Sequence, residues 1–181
     1  ERESQTLLTR HDDIPPSLVP AVKLGRSLGA QPMLRGNSAA ITIDYEGSIE
    51  MMVDAVREAR NYVHIEFYIF VYDGTTKPLF DAMTEAVERG VEVRVLLDYV
   101  ASVRAVYSKE TREALDRAGV EWSYLLPVRP WRKEYQRPDL RNHRKLMVVD
   151  GSVGFMGSQN MIDSSYNLKK NLRRGLHWRD L

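Results

Sequence analysis

Cysteine is missing from the 181 residues, which excludes disulfides, thiolate metal sites and cysteine nucleophiles and leaves the redox character of the compartment unread. Long apolar runs are missing too. No stretch approaches the roughly 18 apolar residues of a membrane-spanning helix, and no signal-peptide pattern opens the chain. Neither sign of charge dominates. The chain holds 26 basic side chains against 25 acidic ones, a formal charge of +1, so attraction of the whole molecule to polyanions is weak. No internal repeat is visible, and only one His-x-Lys triplet occurs, because His11, His64 and His177 have other neighbours.

What is present suits one globular domain with a core, at 43% hydrophobic and 28% charged residues. The basic residues are unevenly spread. Arg129, Arg132, Lys133, Arg137, Arg141, Arg144 and Lys145 crowd one segment, and Lys169, Lys170, Arg173 and Arg174 another. The chain starts without Met at Glu1-Arg2-Glu3 and stops after Trp178-Arg179-Asp180-Leu181, which reads as part of a longer protein.

Residues 1–37 carry Pro15, Pro16, Pro20 and Pro32 among glycines, leaving room only for short helical pieces such as 20–28. This segment reads as a linker or a loosely packed N-terminal extension, and 38–181 as the folded domain. Ala40-Ile41-Thr42-Ile43 predicts a short strand, and Gly47-Ser48 a turn and cap before a helix over 49–60. In 62–70 the residues Val63, Ile65, Phe67 and Ile69 alternate with a polar row of His64, Glu66 and Tyr68, the pattern of a strand. A helix over 78–90, a strand over 91–97, a helix over 108–118 and a strand over 120–126 follow. That order predicts an α/β fold, a mainly parallel mixed sheet flanked by helices, with functional groups at the strand ends. Residues 127–141, with three prolines and a cluster of cations, read as a long loop. Strands over 143–149 and 153–156 are joined by Asp150-Gly151-Ser152 in a hairpin turn. Asn160 onward reads as a helix start ahead of a basic, Asn-rich tail.

The chemistry concentrates in residues 143–160. On an extended chain His143 and Lys145 project to one side, so an imidazole that can attack phosphorus stands beside an ammonium that can hold an anionic oxygen. The Gly157-Ser158 turn allows close backbone approach, and the Ser158 hydroxyl and Asn160 amide can donate to further phosphate oxygens.

His143-x-Lys145, four residues, Asp150, six residues, then Gly157-Ser158-x-Asn160 resembles the signature of the phospholipase D superfamily. The wider runs 137–145 and 155–163, with 65–70, 90–98 and Trp178-Arg179-Asp180, are similar to the first catalytic half of bacterial cardiolipin synthases. The likeness covers residue 40 to the end. One departure lies at Ala101, where the family pattern leads one to expect glycine.

The resemblance implies a phospholipase D-like half, 38–181, cut at its C-terminus. It implies transfer of a phosphatidyl group between two phosphatidylglycerol molecules through a phosphohistidine, with release of glycerol and with no metal or cofactor. Alternatives are a phospholipase D-like phosphodiesterase or nuclease, and a non-catalytic lipid-binding module. His143 is then nucleophile or general acid, Lys145, Ser158 and Asn160 bind phosphate, and the second histidine comes from a missing C-terminal half or a homodimer partner. Asp150 joins the catalytic set through the signature, although turn chemistry and an ion pair explain it as well. By family position Asp180 orients His143.

Glu66 and Asn142 are candidates to line the pocket, although a buried ion pair with an arginine accounts for Glu66 equally well. Trp131 and Tyr135 among Arg129, Arg132, Lys133 and Arg137 suit contact with anionic headgroups, so the expected partners are anionic phospholipid and a membrane surface rather than nucleic acid. The implied location is the bacterial cell membrane, with any anchor outside these residues.

Overall fold

The computed structural model describes residues 14–29 and 34–178. The chain divides into two compact units, Glu1–Ile41 and Thr42–Leu181. In the first, a 3-10 turn at Pro16–Leu18 leads into α1, Val19–Gly29. Pro20 suits the first turn, where a missing N–H costs nothing, and no residue of this helix is buried.

The second unit is built on a five-stranded sheet in the order β3-β2-β1-β6-β7. Its strands are β1 (Tyr62–Phe67), β2 (Glu92–Asp98), β3 (Glu121–Leu125), β6 (Lys145–Val149) and β7 (Val153–Met156). β1, β2 and β3 run parallel, joined through α3 (Lys77–Glu88) and α5 (Ser108–Arg117). β6 runs antiparallel to β1, and β7 antiparallel to β6. The sheet is therefore mixed, and the carboxyl ends of β1, β2, β3 and β7 share one edge with the amino end of β6.

The core lies on one face of this sheet. Val63, Val95 and Met147 pack with Val56 of α2 (Tyr45–Glu58), Leu79 and Met83 of α3, and Leu115 of α5, all of them fully buried. Each such side chain contributes about 1.5–3 kcal/mol by leaving water. On the opposite face His64, Arg94 and Leu96 are exposed. β1 thus divides its residues as the alternation predicts.

Three expectations are corrected. Residues 40–43 form no strand, and Ile41 and Ile43 are 90% and 73% exposed, because no neighbouring strand pairs with them and water takes their backbone hydrogen bonds. Residues 160–168 are turns rather than a helix, and the helix forms in the tail as α6, Lys169–Arg174. The segment 127–141 is not wholly a loop. It folds back on itself as β4 (Val128–Arg129) and β5 (Glu134–Tyr135) around a 3-10 turn at Pro130–Arg132.

Asp150 and Gly151 both have positive φ, 51° and 64°, and Ser152 N–H donates to the Val149 carbonyl at 3.0 Å. This is the type I′ turn that Asp-Gly favours. The Asp150 carboxylate accepts the N–H groups of Tyr62 and Asn61 on Oδ1 and of Arg60 on Oδ2, each at 2.8 Å. Those amides, Tyr62 first and then Arg60, hold its carboxyl below the ordinary range. A depressed carboxyl adds stability above its unfolded pKa of about 4 and loses it as pH falls through the folded value. Asp150→Asn should therefore flatten the acid limb of a plot of melting temperature against pH. Parallel acid limbs in the two proteins would remove this carboxylate from the account.

Candidate active site

After β3 the chain must cross the carboxyl ends of β2 and β1 before it enters the sheet again as β6. Asp98 straps that crossing down. Its buried Oδ1 accepts Ala101 N–H at 2.9 Å, capping the short helix α4 (Tyr99–Arg104). Oδ2 pairs with Arg141 Nη1 at 3.5 Å and accepts Asn142 N–H at 3.4 Å. The side chains of Arg141 and Asp98 are 8% and 0% exposed, so Arg141 is a structural cation and not a surface one. It also donates to the carbonyls of Leu126 and Arg137, at 3.0 and 3.1 Å.

Alternation then sorts the residues that follow. Asn142 Nδ2 donates to Glu66 Oε1, Arg144 Nη1 lies 3.7 Å from the same oxygen, and Arg144 N–H donates to Asn142 Oδ1. Glu66 and Asn142 are thus tied to each other beside His143. The exposed His143 meets Tyr68, its ring 4.0 Å from that of the tyrosine at 33°. Lys145 Nζ lies 5.3 Å from the same tyrosine ring and donates to the His143 carbonyl at 2.7 Å. His143 precedes β6, which begins at Lys145; the strand expected over 143–149 is two residues shorter because the crossing segment still holds 142 and 144.

The second wall comes from residues after β7. The strand expected over 62–70 ends at Phe67 and the chain bends at Tyr68 and Ile69, after which Phe70 bridges Met161 in parallel, with Met161 N–H donating to Ile69 C=O and Val71 N–H to Met161 C=O. On the other side Tyr68 N–H donates to Arg144 C=O. The segment 68–71 therefore lies between the chain that carries His143 and the chain that carries Ser158 and Asn160. Asn160 Nδ2 donates to Tyr166 Oη at 2.8 Å, and its Oδ1 is buried with no hydrogen-bond partner. A half-turn of that amide would let Oδ1 accept from Tyr166 and free the NH₂ group to donate to an incoming anion.

Several residues with no assigned role in the sequence hold this wall. Gln159 accepts from Ser48 Oγ at 2.8 Å and donates to the Tyr45 carbonyl at 3.3 Å, while Tyr45 Oη donates to the carbonyls of Asn160 and Ile162. This partnership explains why α2 begins a turn before the expected Ile49. Asp73 Oδ2 accepts Asp163 N–H and Asn167 Nδ2, and Asp163 accepts from Ser165 and Thr75. Burial alone would raise the Asp163 carboxyl, but the Ser165 and Thr75 hydrogen bonds and the charge of His177 bring it below the ordinary range. Tyr166 and Asn167 have φ of 58° and 54°, a backbone cost that non-glycine residues bear chiefly where a loop is held for a purpose. Trp178 packs on Tyr166, ring centroids 5.8 Å apart. Partners far apart in sequence leave no local pattern; the only prior signal was the polar row containing Tyr68.

The remaining candidates are spread out. Asp150 sits at the far end of β6 from His143, engaged with backbone amides. Asp180 lies outside the described residues. Arg129 is turned inward, 2.8 Å from Glu134 and over the rings of Tyr99 and Tyr124, and Arg137 pairs with Asp139. Trp131 and Tyr135, at 74% and 60% exposure, stand out from the hairpin with exposed Arg132 and Lys133. Among the described residues no group of three His, Asp or Glu side chains is placed to hold a metal ion.

Residues 52–173 match the family described as "Cardiolipin synthase, PLD-like domain". The chain is 32% identical over 145 residues to a cardiolipin synthase of Clostridium perfringens, an alignment covering 80% of this chain and 29% of that protein. It is 34% identical over 147 residues to the major cardiolipin synthase of Bacillus subtilis, again over 80% of this chain and 29% of the relative. The chain spans less than a third of the length of these relatives. Among solved structures, NucT from Helicobacter pylori superposes with a TM-score of 0.51 at 18% identity, over 67% of this chain and 72% of that one, which shows a shared fold.

Proposed function

The chain belongs to the cardiolipin synthase PLD-like domain family, and from that premise we propose that it supplies one half of a phosphatidyltransferase site. The observation that carries the reading is the placement of His143 and Lys145 against Tyr68, on a segment flanked on its other side by the chain of Asn160. A phosphodiester set there meets an imidazole, an ammonium, a hydroxyl and an amide. Lys145, Ser158 and Asn160 hold the non-bridging oxygens, whose charge grows as phosphorus is attacked.

In the reaction proposed, one histidine nitrogen bonds to phosphorus of a phosphatidylglycerol while the bond to the headgroup glycerol breaks. A second histidine gives its proton to the departing alkoxide. The hydroxyl of another phosphatidylglycerol returns that proton and attacks phosphorus, and the P–N bond breaks. His143 takes one of these roles, and the other histidine lies outside the present residues or in a second copy of the chain. Asp150 acts by fixing the hairpin that carries Lys145, not by touching substrate. No described helix is long and apolar enough to cross a membrane; the basic hairpin with Trp131 and Tyr135 is the proposed contact with the bacterial membrane surface.

Product analysis tests this. The complete protein given phosphatidylglycerol vesicles should release glycerol and form cardiolipin. Phosphatidic acid as the lipid product would make it a hydrolase, cleavage of DNA alone a nuclease, and vesicle binding without turnover a lipid-binding module.

A further inference from the structure

A groove of about 280 Å³ opens directly beside the phosphate site, and its walls are almost wholly apolar. Tyr68 and Tyr166 are among its lining residues. These are the two tyrosines already engaged by the site, Tyr68 against His143 and Tyr166 with Asn160. Val100, Val106, Ile162 and Leu168 supply most of the rest of its apolar lining.

We propose that this groove receives an alkyl chain of the phosphodiester whose phosphate lies between His143 and Asn160, an assignment that rests on the transferase reading above. Three features select this occupant. The groove shares Tyr68 and Tyr166 with the phosphate site, so a single molecule reaches both. At roughly 30 Å³ per water-sized group, its volume takes about nine such groups, enough for much of one alkyl chain and too little for two. Charge is sparse, Arg104 being the one charged side chain of the lining, with Lys169 and Lys170 following Leu168 in the chain. An apolar lining with cations few and at hand matches the tail of an anionic amphiphile. A nucleic acid strand leaving the same phosphate site would need cations along the passage itself, one for each phosphate neutralised.

Val106 and Leu168 line the groove at exposed positions, so glutamate at either should fold normally. The complete protein, as wild type, Val106→Glu and Leu168→Glu, is assayed on long-chain phosphatidylglycerol, short-chain phosphatidylglycerol and bis(p-nitrophenyl) phosphate, which has no alkyl chain. Each methylene removed from apolar contact weakens binding roughly fourfold. The variants should therefore raise KM for the long-chain lipid by about tenfold or more, raise it less for the short-chain lipid, and leave kcat/KM for the soluble diester unchanged. Equal losses on all three substrates, or an unchanged KM for the long-chain lipid, would overturn the assignment. If the wild type turns over both lipids with the same KM, the groove assignment alone falls. If it turns over the soluble diester and neither lipid, the transferase reading falls with it.

Discussion

His143→Ala in the complete protein should abolish cardiolipin formation, lowering turnover by at least about 10²–10⁴-fold, the loss expected when even a proton-transfer group is removed. The size holds for either role of the histidine, since a lost nucleophile costs more. The variant should melt with the wild type, because the ring is exposed and rests on Tyr68 at the surface. Lipid binding should persist as well, through the hairpin and the groove, so the loss should appear in kcat rather than KM. Cardiolipin synthesis retained at more than a few per cent would remove His143 from the chemistry.

Asp98→Ala should have the largest effect on stability, about 3–5 kcal/mol, because it leaves the buried Arg141 guanidinium without its counter-charge. Loss of the cap on α4 adds roughly 1 kcal/mol. In urea this is a lower midpoint at unchanged slope. Activity should fall too, since the same carboxylate accepts the Asn142 N–H and so places the residue before His143. Replacing both partners, Asp98→Ala with Arg141→Met, should recover much of the stability by removing the stranded charge. A single variant that unfolds with the wild type would show that the crossing segment is held by something else.

These two residues mark how far the sequence could be read. His143 was legible because the phosphate-binding groups lie within eighteen residues of one another at fixed spacing. Asp98 and Arg141 are 43 positions apart, and their union exists only because the chain crosses the strand ends between β3 and β6. The helices and parallel strands from α2 to β3 were legible from periodicity, to within a few residues at their ends. The antiparallel pairing of β6 with β7 was legible from their hairpin turn, but the direction in which β6 joins β1 was not, because an alternating strand reads the same in either orientation. The short helix α4, with six residues, and the two-residue strands β4 and β5 are too brief for any period to show. Tyr45 and Tyr166 reach the Asn160 wall across loops, and nothing in their own neighbourhoods announces it.

The central claim is that His143, Lys145, Ser158 and Asn160 form one phosphate site. Titrating the isotope-labelled chain with inorganic phosphate and following its NMR spectrum tests this most directly. The His143 ring signals, the Asn160 side-chain amide and the Ser158 backbone amide should shift together along one binding curve, with Asp150 and its turn unmoved. Shifts confined to the exposed cations of α6 and the basic hairpin, with His143 and Asn160 silent, would contradict it.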